Sequence, residues 1–195
     1  LLYLLLSPQC AKVENKARLI TIVARDKLDI SQQELEDRLD VLLTLVPELQ
    51  GRLRSAALKA DLLASLLAQP VEELADRIIT LRDILPRCNI DKVLGSQPSL
   101  LLTQSSKLRA DAAAAQELLG VDAETFSHCV DQQPLFLDAA CVKAALAELK
   151  LLMPASSNTA LMLLADPDWL LRLQSNRGSG KWLGEPPDSV LNEQV

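Results

Sequence analysis

Aromatic residues are nearly missing from this 195-residue chain, at 3%, and glycines number only six. With so few strand-forming aromatic side chains and so much leucine and alanine, an extended sheet has little to be built from, and helices have a great deal. The four cysteines, Cys10, Cys88, Cys129 and Cys141, contain no C-x-x-C pair. Their wide spacing excludes the usual zinc ribbon and a dense disulfide framework, and a reducing compartment is expected. Histidine occurs once, as His128. With no second ligand one turn away, neither a metal site nor a Ser-His-Asp or Cys-His catalytic arrangement can be assembled around it, and no enzyme, cofactor or small-molecule substrate is expected. Excess positive charge is also lacking. Twenty basic residues against 26 acidic ones leave a net charge of −6, which excludes a protein that coats nucleic acid by charge alone.

No long apolar run is present either. The opening Leu-Leu-Tyr-Leu-Leu-Leu stops at Ser7-Pro8, far short of the roughly 20 residues that span a bilayer, so no membrane contact is expected. The first residue is Leu, so the chain is expected to start downstream of its initiator, a start compatible with removal of a targeting segment.

What the chain does have is a periodic proline. Gly95-Ser-Gln-Pro-Ser-Leu-Leu-Leu102 is echoed by Gln132-Gln-Pro-Leu-Phe-Leu137 and by Ala165-Asp-Pro-Asp-Trp-Leu-Leu171, which places Pro98, Pro134 and Pro167 at intervals of 36 and 33. A second marker, the helix stop at Pro86, Gly120 and Pro154, recurs every 34 residues. Because proline lacks a backbone donor but suits the first turn of a helix, each of these prolines is expected to open the long helix of the next unit. Between the markers, Val71, Leu74, Ile78, Leu81 and Leu85 form one apolar stripe, as do Leu108, Ala112, Ala115 and Leu118, and then Val142, Ala145, Leu146, Leu149 and Leu152. Short helices are expected over Asn89–Ser96, Asp122–Gln132 and Ser157–Ala165, with Ser31, Ser156 and Ser157 as caps. Ser31-Gln-Gln-Glu34 reads as a capping box ahead of a helix that buries Leu35, Leu39, Leu42, Leu43 and Val46. The following stretch is longer than its counterparts, and the insertion is assigned to one helix from Arg52 to Gln69. Residues 9–28 read as a further helix.

The resulting expectation is an all-α protein, an α-solenoid of roughly 34-residue repeats, each a long helix, a short helix and a proline corner. It comprises a helical lead-in over 1–30, a repeat domain over 31–173 and an extended tail over 174–195. Tetratricopeptide and pentatricopeptide arrays share the period, but their helices are more nearly equal in length.

The corner Pro-x-(Leu/Phe/Trp)-Leu after a helix stop resembles the repeat of the mitochondrial transcription termination factor family. The matching residues are Ile84-Leu-Pro86 with Pro98-Ser-Leu-Leu101, Leu119-Gly120 with Pro134-Leu-Phe-Leu137, and Leu152-Met-Pro154 with Pro167-Asp-Trp-Leu170. The resemblance implies a mitochondrial, or alternatively chloroplast, protein of gene expression whose stacked helices bind nucleic acid. For an acidic chain it points to binding ribosomal RNA as a subunit of a large assembly such as the mitochondrial ribosome. The competing expectations are a scaffold that touches only neighbouring proteins and, third, a DNA-binding termination factor.

Basic residues suited to phosphate contact are Arg52, Arg54 and Lys59, the first and last two turns apart on the expected inserted helix, and Arg177, Lys181 and Trp182 in the tail. The alternative for the first group is a solvated helix face balanced by Glu73, Asp76 and Asp83, and for the tail a disordered segment. Arg-Gly-Ser-Gly-Lys-Trp182 is not a phosphate-binding loop, since Ser175 and Trp182 occupy positions that need Gly and Ser or Thr. Glu73 and Arg77 read as an intrahelical pair.

Overall fold

The computed structural model describes residues 8–173, and side chains from Asn15 onward. Among the described residues every regular element is helical. The tail residues Arg177, Lys181 and Trp182, and the opening leucines, lie outside the described residues. The chain divides into two compact units, residues 1–109 and 110–195.

In the first unit, α1 (Pro8–Leu28) packs on α4 (Ala60–Leu67) and on α3 (Glu48–Arg54). Helix α2 (Gln32–Leu45) starts at Ser31, whose side chain accepts from the Glu34 N–H at 3.2 Å. This is one half of the expected capping box, because the Glu34 carboxylate is taken by Arg38 at 2.7 Å. Leu35, Leu42 and Val46 are buried, and α2 rests on α3, α4 and α5 (Val71–Ile84). In α5 the stripe holds at Leu74, Ile78, Leu81 and Leu85, but Val71 at its start is 43% exposed. Helix α6 (Ile90–Ser96) is capped by Asn89 and packs on α3, α5 and the 3-10 turn Pro98–Leu102.

Helix α7 (Ser105–Leu119) crosses the boundary between the units. It ends at Gly120, where φ is 66°, a left-handed value that glycine adopts without the Cβ clash other residues meet. The second unit continues with α8 (Ala123–Gln132), the 3-10 turn Pro134–Leu137, α9 (Ala139–Leu152) and α10 (Thr159–Ala165), followed by helical residues 169–173. Phe126, Val130, Phe136, Leu137, Val142, Leu146, Leu149, Leu163 and Leu170 form its core. Leu118 and Leu152, expected inside, are 38% and 40% exposed: the inward place at the end of α7 is taken by Leu119, 5% exposed, and Leu152 is the last residue of α9, beyond buried Leu149.

Three local expectations are corrected. Pro98 and Pro134 sit in the first turn of 3-10 helices and do not open the long ones, which begin only at Ser105 and Ala139. Extended residues intervene, Thr103 at ψ 133° and Asp138 at ψ 97°, and Pro167 likewise begins a turn closed by Leu170 N–H at 3.2 Å. Residues 52–69 are not one helix. The Ala56 and Ala57 amides bond back to Leu53 and Arg52, Ala56 takes a left-handed φ of 54°, and Lys59 is extended, which ends α3 before α4 starts. Finally, α10 is capped by Asn158, whose carbonyl oxygen accepts from both Ala160 and Leu161 amides at 3.1 Å, so neither Ser156 nor Ser157 has that role.

Candidate interaction surface

The break between α3 and α4 dissolves the expected basic patch. Arg52 belongs to α3 and Lys59 precedes α4, so the two do not share a helix face. Arg52 is moreover committed inward. Its guanidinium donates to the carbonyls of Gly95, at 2.7 Å, and Ser96, covering the negative end of α6. Arg54 and Lys59 are exposed, and Lys59 helps hold the neighbouring Asp61 carboxyl below its ordinary value, behind the larger effect of the hydrogen bond from Lys27.

Two further arginines also bond distant backbone carbonyls; the expected Glu73–Arg77 pair forms, but the carbonyl bonds and the whole role of Arg38 were missed by sequence reasoning. Glu34-Leu-x-Asp-Arg38 in α2 recurs as Glu73-Leu-x-Asp-Arg77 in α5. In the first copy Arg38 pairs with Glu34 at 2.7 Å and donates to the Leu67 carbonyl, the last residue of α4, at 3.0 Å. In the second, Arg77 pairs with Glu73 at 2.6 Å and donates to the Leu101 carbonyl at 2.6 Å and to Gln69 Oε1 at 3.0 Å. Leu67 and Leu101 stand 34 residues apart, so the motif performs one task twice: it ties a long helix to the end of the short element beside the next. The signal was available as a repeated five-residue pattern, but the carbonyl acceptors, 29 and 24 residues away, were not.

Other cations are also balanced. Arg109 meets Asp83 at 3.1 Å, Arg172 meets Asp166 at 3.3 Å, and Arg25 meets Asp26 at 2.7 Å. His128 is exposed and shares a hydrogen bond of 3.0 Å with Gln132. Burial raises the Cys129 thiol above its ordinary pKa, which makes it a weak nucleophile. No group of three His, Cys, Asp or Glu side chains among the described residues could hold a metal ion. Among the described residues no helix is long and apolar enough to cross a membrane.

Among the described residues two grooves lie beside the Asp-Arg step of the motif. The first, of about 450 Å³, lies between α2 and α5 over the end of α4, with Asp37, Val41, Leu67 and Val71 in its lining. The second, of about 520 Å³, lies between the starts of α5 and α7, with Glu72, Asp76 and Ser105 in its lining. The first is mainly apolar and the second polar. Comparison with known proteins finds no family model, no curated protein and no solved structure that matches the chain.

Proposed function

We propose that the chain is a non-enzymatic helical-repeat scaffold, an α-solenoid of units of roughly 34 residues that serves an organellar gene-expression assembly through contacts with protein neighbours. The solenoid reading is supported by the order long helix, short helix, 3-10 turn, which α5 to α9 run through twice. The organellar reading rests on the resemblance of the proline corners to the mitochondrial transcription termination factor repeat.

One observation carries the choice of protein over RNA. The groove-lining Arg38 and Arg77 each bond a backbone carbonyl and pair with Glu34 or Glu73, so the positive charge at the grooves is neutralised within the chain, and Arg52 likewise serves the carbonyls at the end of α6. An acidic chain that holds several of its arginines in internal ion pairs and carbonyl bonds gains less from a polyanion than its count of basic residues suggests. Direct RNA binding then falls to exposed Arg54 and Lys59 and to the tail residues Arg177, Lys181 and Trp182.

Sedimentation of organelle extracts with and without ribonuclease tests the reading. The full chain is expected to travel in a complex whose cross-linked protein neighbours persist after the RNA is digested. Release of the chain as a monomer on digestion would assign the attachment to RNA instead.

A further inference from the structure

The two grooves occupy equivalent places, and their differences are informative. Asp37 and Asp76 are the same residue of the repeated motif, and Val71 and Ser105 are each the first residue of the next long helix. In the second groove the Ser105 hydroxyl donates to the Asp76 carboxylate, so that acid has a partner from across the groove. In the first, the corresponding first helical residue is Val71, which has no hydroxyl to donate. Asp37 therefore receives no donor from across the groove, only Gln33 Nε2 of its own helix at 3.0 Å. A carboxylate accommodates about four hydrogen bonds, so Asp37 keeps most of its capacity.

The walls of the first groove are largely apolar. Val41 is 39% exposed and Val71 is 43% exposed, while Leu42, Leu67 and Leu74 are buried beneath them. The charged side chains of its lining are Asp37 and Arg38. Glu34 is paired with Arg38, Glu73 with Arg77 and Asp61 with Lys27, which leaves Asp37 as the groove carboxylate with no cation paired to it among the described residues. Arg38 itself is turned onto Glu34 and the Leu67 carbonyl. A phosphate would be repelled by the uncompensated Asp37, whereas an ammonium or guanidinium group beside an apolar side chain meets complementary charge and a place to bury carbon.

We propose that the α2–α5 groove is a docking site for a segment of a protein partner that sets apolar side chains between Val41 and Val71 and a lysine or arginine against Asp37. The site deepens the scaffold reading and depends on it. Its cation supplies to Asp37 what Ser105 supplies to Asp76, and its apolar side chain covers the two valines. A groove of about 450 Å³ is of the size that accepts such anchors.

The test is a methyl-resonance titration of the full chain with a short amphipathic leucine-lysine peptide, alongside a leucine-glutamate peptide of the same pattern. The lysine peptide is expected to shift the Val41 and Val71 methyls selectively. Val71→Ser, which shortens the wall and gives Asp37 a hydroxyl partner, is expected to weaken binding about tenfold. Asp37→Asn should weaken it about threefold, since a half-exposed ion pair is worth little. Ile79→Ser, at a 58% exposed position elsewhere on α5, should leave it unchanged. All three positions are exposed, so the variants should keep wild-type helicity by circular dichroism. Equal binding of the two peptides, unchanged affinity in Val71→Ser, or shifts confined to other residues would overturn the site and leave the scaffold reading standing. Shifts of the same methyls with protein concentration alone would make a second copy the occupant and overturn the proposal. If a single-stranded RNA oligomer moves them and neither peptide binds, both the site and the scaffold reading fall.

Discussion

Arg38 and Arg77 hold the same place in the motif, each pairing with a glutamate and a backbone carbonyl, and burial together with the added Gln69 bond of Arg77 separates their energetics. The Arg77 side chain is 8% exposed and that of Arg38 is 42% exposed. Removing Arg77 strands the buried Leu101 carbonyl and Gln69, and Arg77→Met is expected to cost about 2–3 kcal/mol, the range for a hydrogen-bonded charged group. Arg38→Met, where water can replace the lost donor, should cost at most about 1 kcal/mol. Urea denaturation of the two variants checks the contrast, and equal losses would refute the burial argument. The pairing of Glu73 with Arg77 was legible from their four-residue spacing; the fact that Arg77 is buried was not, because a charged residue on a helix reads as solvated until its distant acceptors are placed. Asp122 supplies a second residue-scale expectation. The Thr125 backbone N–H, at 2.7 Å, holds its carboxyl below the ordinary value as the cap of α8. A lowered folded pKa means that this stabilisation is present above the unfolded pKa and is lost as pH falls through the folded one. Asp122→Asn keeps a capping oxygen but no titration, so its stability should decline less steeply on acidification than that of the wild type.

Helix ends decide most of what happens at the scale of elements. Where a side-chain cap was written in the sequence, as at Ser31, Asn89 and Asp122, the start was legible to the residue. The break between α3 and α4 was not, since residues 55–59, Ser-Ala-Ala-Leu-Lys, contain neither proline nor glycine and continue a helical composition. Tertiary packing overrides propensity there: α3 must turn to meet α6, and Arg52 binds the end of α6 only from that position. Gly95 makes the approach close. A Cβ added to it would lie 2.8 Å from the Glu48 Cβ, a contact no flexible side-chain end can relieve. Gly95→Ala is expected to push α3 from α6 and destabilise the chain by about 1–3 kcal/mol, despite alanine's better helix propensity. Thermal melting measures this, and a neutral or stabilising result would mean that the two helices are not held at this distance. Asn158→Ala, which removes the acceptor for two amides at the start of α10, should cost about 1 kcal/mol in the same assay.

At the scale of the molecule, the alternation of long and short helices was legible because proline and leucine phase survive in the sequence, whereas the fate of the charges was not. Counting basic residues treats each as free to meet phosphate, yet Arg38, Arg52 and Arg77 are consumed by carbonyls and Arg109 and Arg172 by carboxylates. Of the basic residues singled out as phosphate contacts, Arg54, Lys59, Arg177 and Lys181 remain candidates. If all four met phosphates of a single strand, log K against log salt would fall with a slope of about −3, since each contact contributes about −0.7. Replacing Arg54 and Lys59 by Gln would then reduce the slope by about half. The scaffold reading instead expects that the purified chain shows no salt-dependent affinity for a single-stranded RNA oligomer, because a net charge of −6 opposes the polyanion across the rest of the surface. Filter binding over a salt series distinguishes the outcomes. A slope near −3 that halves in the double variant would move the function to RNA, whereas flat, weak binding in both proteins leaves the apolar groove as the surface through which the molecule is held.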